Sequence, residues 1–139
     1  IAPPPLTAEL RKLHQYITFA TSTPMQAAIA DYIREKPAFG AELRQFYQAK
    51  RDLFTNLMAG SRFKPLSCRG TYFQLYDYSA IQPEMSDTDF ANWLTDEHGV
   101  ACIPVSVFYQ TPEDHRVVRF CFAKDDDTLR QAADILCKI

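Results

Sequence analysis

Glycine is scarce, with four in 139 residues. That is too few to build a glycine-rich phosphate loop or a dinucleotide fingerprint, and no G-x-S-x-G or H-E-x-x-H pattern occurs either. An excess of charge of one sign is also missing. Fifteen Lys and Arg against seventeen Asp and Glu leave a formal net charge of -2, so nothing marks a nucleic-acid partner or an anionic membrane surface. No apolar run approaches the length that spans a bilayer, and the N-terminus lacks the basic start and apolar core of a signal peptide. The three histidines, His14, His98 and His115, have no Cys or carboxylate in metal-ligand register, and the expected reading is no metal site. The four cysteines, Cys68, Cys102, Cys121 and Cys137, show no C-x-x-C spacing. They read as small buried hydrophobes in a reducing cytoplasm, with a pair of disulfides the alternative left open by the even count. Ser106 and Cys102 have no base nearby in sequence. The run Asp125-Asp126-Asp127 reads as acids at the positive end of a helix dipole rather than as a cation site.

What is present is enough apolar content, 47 %, for one domain with a real core. The chain opens Ile-Ala-Pro-Pro-Pro without Met, which suits a segment continued from something upstream. Thr7 is expected to cap a helix from Ala8, after three prolines that a helix interior excludes, with Leu10, Leu13 and Ile17 on one face. Phe19 to Pro24 is a break. Thr23 and Pro24 then form a cap and first-turn pair for a second helix with Ala28, Ile29, Tyr32 and Ile33 on one face. A longer helix fits Gly40 to Ala59, where Leu43, Phe46, Tyr47, Lys50, Phe54, Leu57 and Met58 trace a stripe and Gly60 closes it. Stripes of this kind are expected to be core.

From Ser61 the period shifts from 3.6 to 2. Arg62 to Ser67 and Thr71 to Asp77 read as strands joined through Gly70. Ser86 with Asp89 three residues on is a partial capping box for a helix with Phe90, Trp93, Leu94 and His98 on one face, ended by Gly99. Val100 to Ile103 reads as a short strand stopped by Pro104, and Ser106 to His115 as a loop. A last helix opens at Asp125, with Leu129, Ala132, Ala133 and Leu136 inward. The second half is thus β-β-α-β-β-α. The fold class is α/β with an α+β second part, a small mixed sheet covered by helices.

The strand Val117 to Lys124 carries the clearest chemical hint. Alternation points Val118, Phe120 and Phe122 into a core and Val117, Arg119 and Cys121 away from it. Arg119 is a lone charge on an apolar strand. A guanidinium on a rigid strand offers a carboxylate two parallel N–H bonds that Lys cannot copy. The alternative is an edge-strand Arg reaching solvent or a surface acid.

Several segments together resemble one family: Leu13-His-Gln15, Phe19 to Thr23, Pro24-Met-Gln-Ala-Ala28, Gly70-Thr-Tyr-Phe73, Gly99-Val-Ala-Cys-Ile-Pro-Val-Ser-Val-Phe-Tyr109, and Val118-Arg-Phe-Cys-Phe-Ala-Lys124. In order and spacing they resemble the C-terminal third of a class I, fold-type I pyridoxal-phosphate aminotransferase. Pro104-Val-Ser-Val-Phe108-Tyr, in place of the commoner Pro-Gly-x-x-Phe-Gly, is similar to the group of kynurenine aminotransferase, glutamine transaminase K and bacterial methionine aminotransferases. The resemblance implies that Arg119 binds the substrate α-carboxylate of amino acid and 2-oxo acid alike. It implies that Phe73 lines the side-chain pocket and that Phe19 extends into the neighbouring subunit's site of a homodimer; either aromatic could equally be core. Ala20 stands where kynurenine aminotransferases often have His, which leans toward methionine-like or other bulky neutral amino acids.

The same resemblance implies that the catalytic Schiff-base lysine, the phosphate-gripping Gly-x-Arg and the residues against the pyridine ring lie upstream. Lys12, Lys36, Lys50, Lys64, Lys124 and Lys138 stand in the wrong contexts for that role, so this chain is expected to hold substrate, with no catalytic or cofactor-binding residue of its own. Residues 1–38 would end a large cofactor-binding domain, 39–60 would be its connecting helix, and 61–139 a small domain that closes over substrate and excludes water. Two other classes stay open: a non-enzymatic α/β module that binds an amino acid or a partner protein, and a structural fragment marked by an exposed apolar face.

Overall fold

A computed structural model describes residues 2–111 and 113–139. Ile1, the first residue of the expected N-terminal part, and Pro112, inside the expected Ser106 to His115 loop, lie outside them. The chain forms two compact units, Ile1–Glu42 and Leu43–Ile139, described here in turn.

The first unit holds α1 (Pro4–Ile17) and α2 (Thr23–Glu35), and its boundary falls inside α3 (Phe39–Leu57). The start of α1 corrects the sequence reading. Pro4 and Pro5 lie within its first turn, where amide protons have no intrahelical acceptor and proline costs nothing. Thr7 is therefore inside the helix, its hydroxyl donating to the Ala2 carbonyl at 3.0 Å. In the same way α2 starts one residue early, with Ser22 at the N-cap and Pro24 in the first turn. A larger correction concerns the stripes. Neither helix buries a residue, and Leu10, Leu13, Ile17, Met25, Ile29 and Ile33 are all exposed. Periodicity predicts which residues share a face; it does not supply the surface that covers it.

The second unit takes its core from a sheet and three helical segments. Its strands are β1 (Lys64–Pro65), β2 (Phe73–Asp77), β3 (Ile103–Pro104) and β4 (Val117–Cys121), in spatial order β1-β2-β4-β3. Helices α4 (Asp87–His98) and α5 (Asp126–Leu136) complete the expected β-β-α-β-β-α order. Every pairing is antiparallel, so the sheet is not mixed. The α4 crossover makes β2 and β3 run the same way, but β4 lies between them and pairs with both. Two expected strands shrink to two residues, and Pro104 sits within β3, opposite Val118, rather than after it. Proline is tolerated there because β3 is an edge.

Alternation along β2 and β4 separates two faces. Tyr76, Val118 and Phe120 point to a cluster with Phe54 of α3, Phe90 and Leu94 of α4, and Leu129, Ala133 and Leu136 of α5. Phe63 and Phe120 meet edge to face at 5.6 Å, and Tyr78 stacks on Phe90 at 3.9 Å. Phe122, just past β4, is buried as expected. Local chemistry sets the helix ends. The Ser86 hydroxyl accepts from the Asp89 amide at 3.1 Å, and Gly99 adopts φ 68°, a left-handed conformation that a side chain would strain. The Arg51 guanidinium donates to the Cys68 carbonyl at 2.9 Å, fastening the β1–β2 connection to α3.

Candidate functional site

The other face of the sheet carries Arg119. Its backbone is opposite Leu75 of β2 and Ile103 of β3, so it sits on the strand with hydrogen-bonded neighbours on both sides. That answers the first alternative: β4 is central, and Arg119 is half-buried rather than an edge residue. Phe73 shares its face one pleat along, and the Arg119 Cζ lies 4.5 Å from the Phe73 ring centroid. A second ring, Phe108, lies 5.4 Å away. Both are within reach of a favourable cation–π contact.

Three of the other arginines are paired with acids. Arg34 pairs with Asp31 at 2.7 Å, Arg51 with Asp52 at 3.0 Å and Arg116 with Asp114 at 2.6 Å. Among the described residues Arg119 has no such ion pair and no side-chain hydrogen bond. Aromatic rings hold a guanidinium without consuming its N–H donors, because they interact with charge and not with lone pairs. The result is a positioned cation with unspent donors, the chemistry that a planar carboxylate fits.

Phe108 comes from the short 3₁₀ turn Ser106–Phe108, which the sequence showed only as part of a loop. That turn is held by Asp87, which is 2 % exposed at the start of α4. One Asp87 oxygen accepts from the Val105 amide at 2.8 Å and the Ser106 amide at 2.7 Å, and the other from the Ser106 hydroxyl at 2.6 Å. Ser106 therefore does have an acid beside it in space. That acid already binds two amides, so the arrangement shapes the loop rather than activating a nucleophile. No local pattern announces a contact across eighteen and nineteen residues; the only clue was a second acid beside the Ser86 cap.

Phe19 lies in the first unit, between α1 and α2. It is 89 % exposed and adopts φ 54°, unusual for a bulky residue. It is not a core residue. Arg119 and Phe73 are thus brought together, and Phe19 belongs to the other unit.

The remaining candidates resolve simply. His14 contacts the Thr18 hydroxyl, His98 packs edge-on against Trp93, and His115 lies beside Tyr109 and Glu113. All four cysteines are free thiols, and Cys121 and Cys137 are exposed rather than buried. Burial, and then the negative charge of Asp87, pushes the Cys102 thiol up to about 12, far from a reactive thiolate at neutral pH.

A pyridoxal phosphate would need an amine for its aldehyde and a ring of N–H and hydroxyl donors for its phosphate. The face around Arg119 instead presents Phe73, Leu75, Ile103, Cys121 and Phe108. None of these residues is an amine, and the guanidinium among them has the chemistry that suits a carboxylate.

Comparison with known proteins gives the family. The family model for aminotransferases of class I and II matches residues 1–136. The chain is 49 % identical over 136 residues to the methionine aminotransferase of Escherichia coli strain K12, covering 98 % of this chain and 35 % of that protein. It is 34 % identical over 161 residues to a kynurenine–oxoglutarate transaminase of Dictyostelium discoideum, covering 100 % of this chain and 37 % of that one. The crystal structure of YbdL from Escherichia coli, reported with a methionine aminotransferase function, superposes with a TM-score of 0.86 at 48 % identity, covering 100 % of this chain and 36 % of that one. The chain therefore spans little more than a third of the length of these relatives. With the family model matching nearly its whole length, the chain belongs to the class I and II aminotransferases.

Proposed function

We propose that this chain is the substrate-gripping part of a pyridoxal-phosphate-dependent aminotransferase, which moves an amino group between a bulky neutral amino acid and a 2-oxo acid. The observation that carries the reading is the Arg119 guanidinium, fixed on a central strand beside two rings and free of any acid among the described residues. Arg119 grips the α-carboxylate common to both substrates with two parallel N–H bonds. Phe73 lines the pocket for the amino-acid side chain. Phe19, exposed on its turn, suits a residue that reaches the neighbouring subunit's site in a homodimer.

Pyridoxal phosphate, held by residues outside this chain, supplies the electron sink that makes the α-proton labile. This chain binds and orients the carboxylate, and its apolar face keeps water from the reacting carbon. Residues 1–38 end the large domain, 39–60 connect, and 61–139 form the small domain. The exposed stripes of α1 and α2 favour packing against further protein, as a large domain and a dimer mate provide. A cytoplasmic location fits four free thiols.

Ala20 and the likeness to a methionine aminotransferase favour methionine or another bulky neutral amino acid over kynurenine. The test is amino-group transfer by the complete protein loaded with cofactor, offered methionine, glutamine and kynurenine against a common 2-oxo acid. Methionine is expected to give the highest kcat/KM. Binding of free amino acids with no transfer from any of them would overturn the enzyme reading in favour of a binding module.

A further inference from the structure

Phe108 presents a problem of support. The residue is 64 % exposed, so little packing within this chain holds the ring in place, yet it lies within cation–π reach of Arg119. A ring with so few contacts goes where its backbone puts it. That backbone is the turn whose first amides and hydroxyl bind Asp87.

A second acid continues the tie. The Asp87 amide donates to Asp114 at 2.8 Å, and Asp114 accepts from both the Arg116 amide at 2.8 Å and the Arg116 guanidinium at 2.6 Å. Arg116 has φ 58° and immediately precedes β4, the strand that carries Arg119. The Arg116 Nε also donates to the Pro83 carbonyl at 2.9 Å. The start of α4 is thus bonded to the segment bearing Phe108 and, through Asp114, to the segment that leads into Arg119. A buried carboxylate with several donors is a rigid joint, because each lost bond leaves a buried polar group unpaired.

We propose that Asp87 is a positioning residue for substrate binding: by fixing the Val105–Ser106 backbone it holds Phe108 against Arg119 and so sets the orientation of the carboxylate-binding guanidinium. The proposal rests on the reading of Arg119 given above. It makes Asp87 a determinant of affinity for every carboxylate substrate, and of no particular side chain.

The test uses the complete protein, cofactor-loaded, with arginine labelled in nitrogen-15. The Arg119 Nε–H resonance, identified by its loss in Arg119→Lys, reports the ring currents of its aromatic neighbours. Asp87→Asn, which places an N–H donor among the donors the carboxylate satisfies, is expected to shift that resonance and to raise the KM for methionine about tenfold while kcat changes far less. Phe108→Leu is expected to do the same, and adding Asp87→Asn to Phe108→Leu is expected to add little further. Ser106→Ala removes only the 2.6 Å hydroxyl bond, and is expected to move both readouts in the same direction by less. It decides the matter should Asp87→Asn fail to fold. A lowered Tm with an unmoved Arg119 resonance and unchanged KM would overturn the proposal, as would effects of Asp87→Asn and Phe108→Leu that simply multiply. If the wild-type protein transfers no amino group, the enzyme reading fails by itself. The Arg119 resonance then still tests whether Asp87 acts through Phe108.

Discussion

Tyr76 is fully buried on the helix-covered face of β2, where it meets Phe54, Phe63 and Phe120 edge to face. Its hydroxyl has no hydrogen-bond partner of good geometry, Thr55 offering at most a weak one, and burial raises its pKa to about 12. An unpaired buried hydroxyl loses water without replacement. Tyr76→Phe is therefore expected to be neutral or to stabilise by about 1 kcal/mol, where loss of a bonded hydroxyl costs about that much. Denaturant unfolding measures it, and a loss above about 1 kcal/mol would show that the hydroxyl is bonded after all. Arg119 was legible at this scale because a lone charge in an apolar strand is a conflict that invites explanation. Phe108 and Asp87 were not: an aromatic in a loop and an acid after a cap conflict with nothing. The role proposed for them rests on contacts that only the folded chain creates.

Among the elements, α3 and α5 are joined by Lys50 and Asp126, with Nζ and Oδ1 2.5 Å apart across 76 residues of sequence. The hydrogen bond from Lys50, with its charge in support, holds the Asp126 carboxyl below its ordinary 3.8. A carboxyl depressed in the folded state contributes stability that is fully present above its unfolded value and is lost as pH falls through its folded value. Asp126→Asn is thus expected to lower Tm at pH 7, with the gap to wild type closing as the pH is taken down past the ordinary carboxyl value of 3.8. A gap that stays constant across this range would mean that the pair contributes nothing through charge. Element types and order were read well from the sequence, because caps such as Ser86 and Gly99 act locally. Strand lengths and sheet sense were not, since pairing partners for Lys64–Pro65 and Ile103–Pro104 lie far along the chain. Proline misled twice, at the start of α1 and within β3, because its cost depends on whether its missing N–H had an acceptor at all.

At the scale of the whole molecule, the two units differ in how they use their apolar residues. Leu43–Ile139 gathers Phe54, Phe63, Tyr76, Tyr78, Phe90, Phe120 and Phe122 in one buried cluster. Ile1–Glu42 leaves Leu10, Leu13, Ile17, Met25, Ile29 and Ile33 exposed on helices that bury nothing. Such stripes need a surface that sequence periodicity cannot name, and this chain spans little more than a third of the length of its relatives. The proposed division of labour follows: the cofactor's chemistry lies on residues outside this chain, and the grip on substrate lies at Arg119. Arg119→Lys in the complete protein tests that grip most directly, by comparing the KM for methionine with Tm in the same preparation. Lys keeps the charge but loses the parallel donors. The account predicts a KM raised by about tenfold or more, with Tm lowered by less than about 3 °C. An unchanged KM, or a loss of affinity matched by an equal loss of folding, would contradict it.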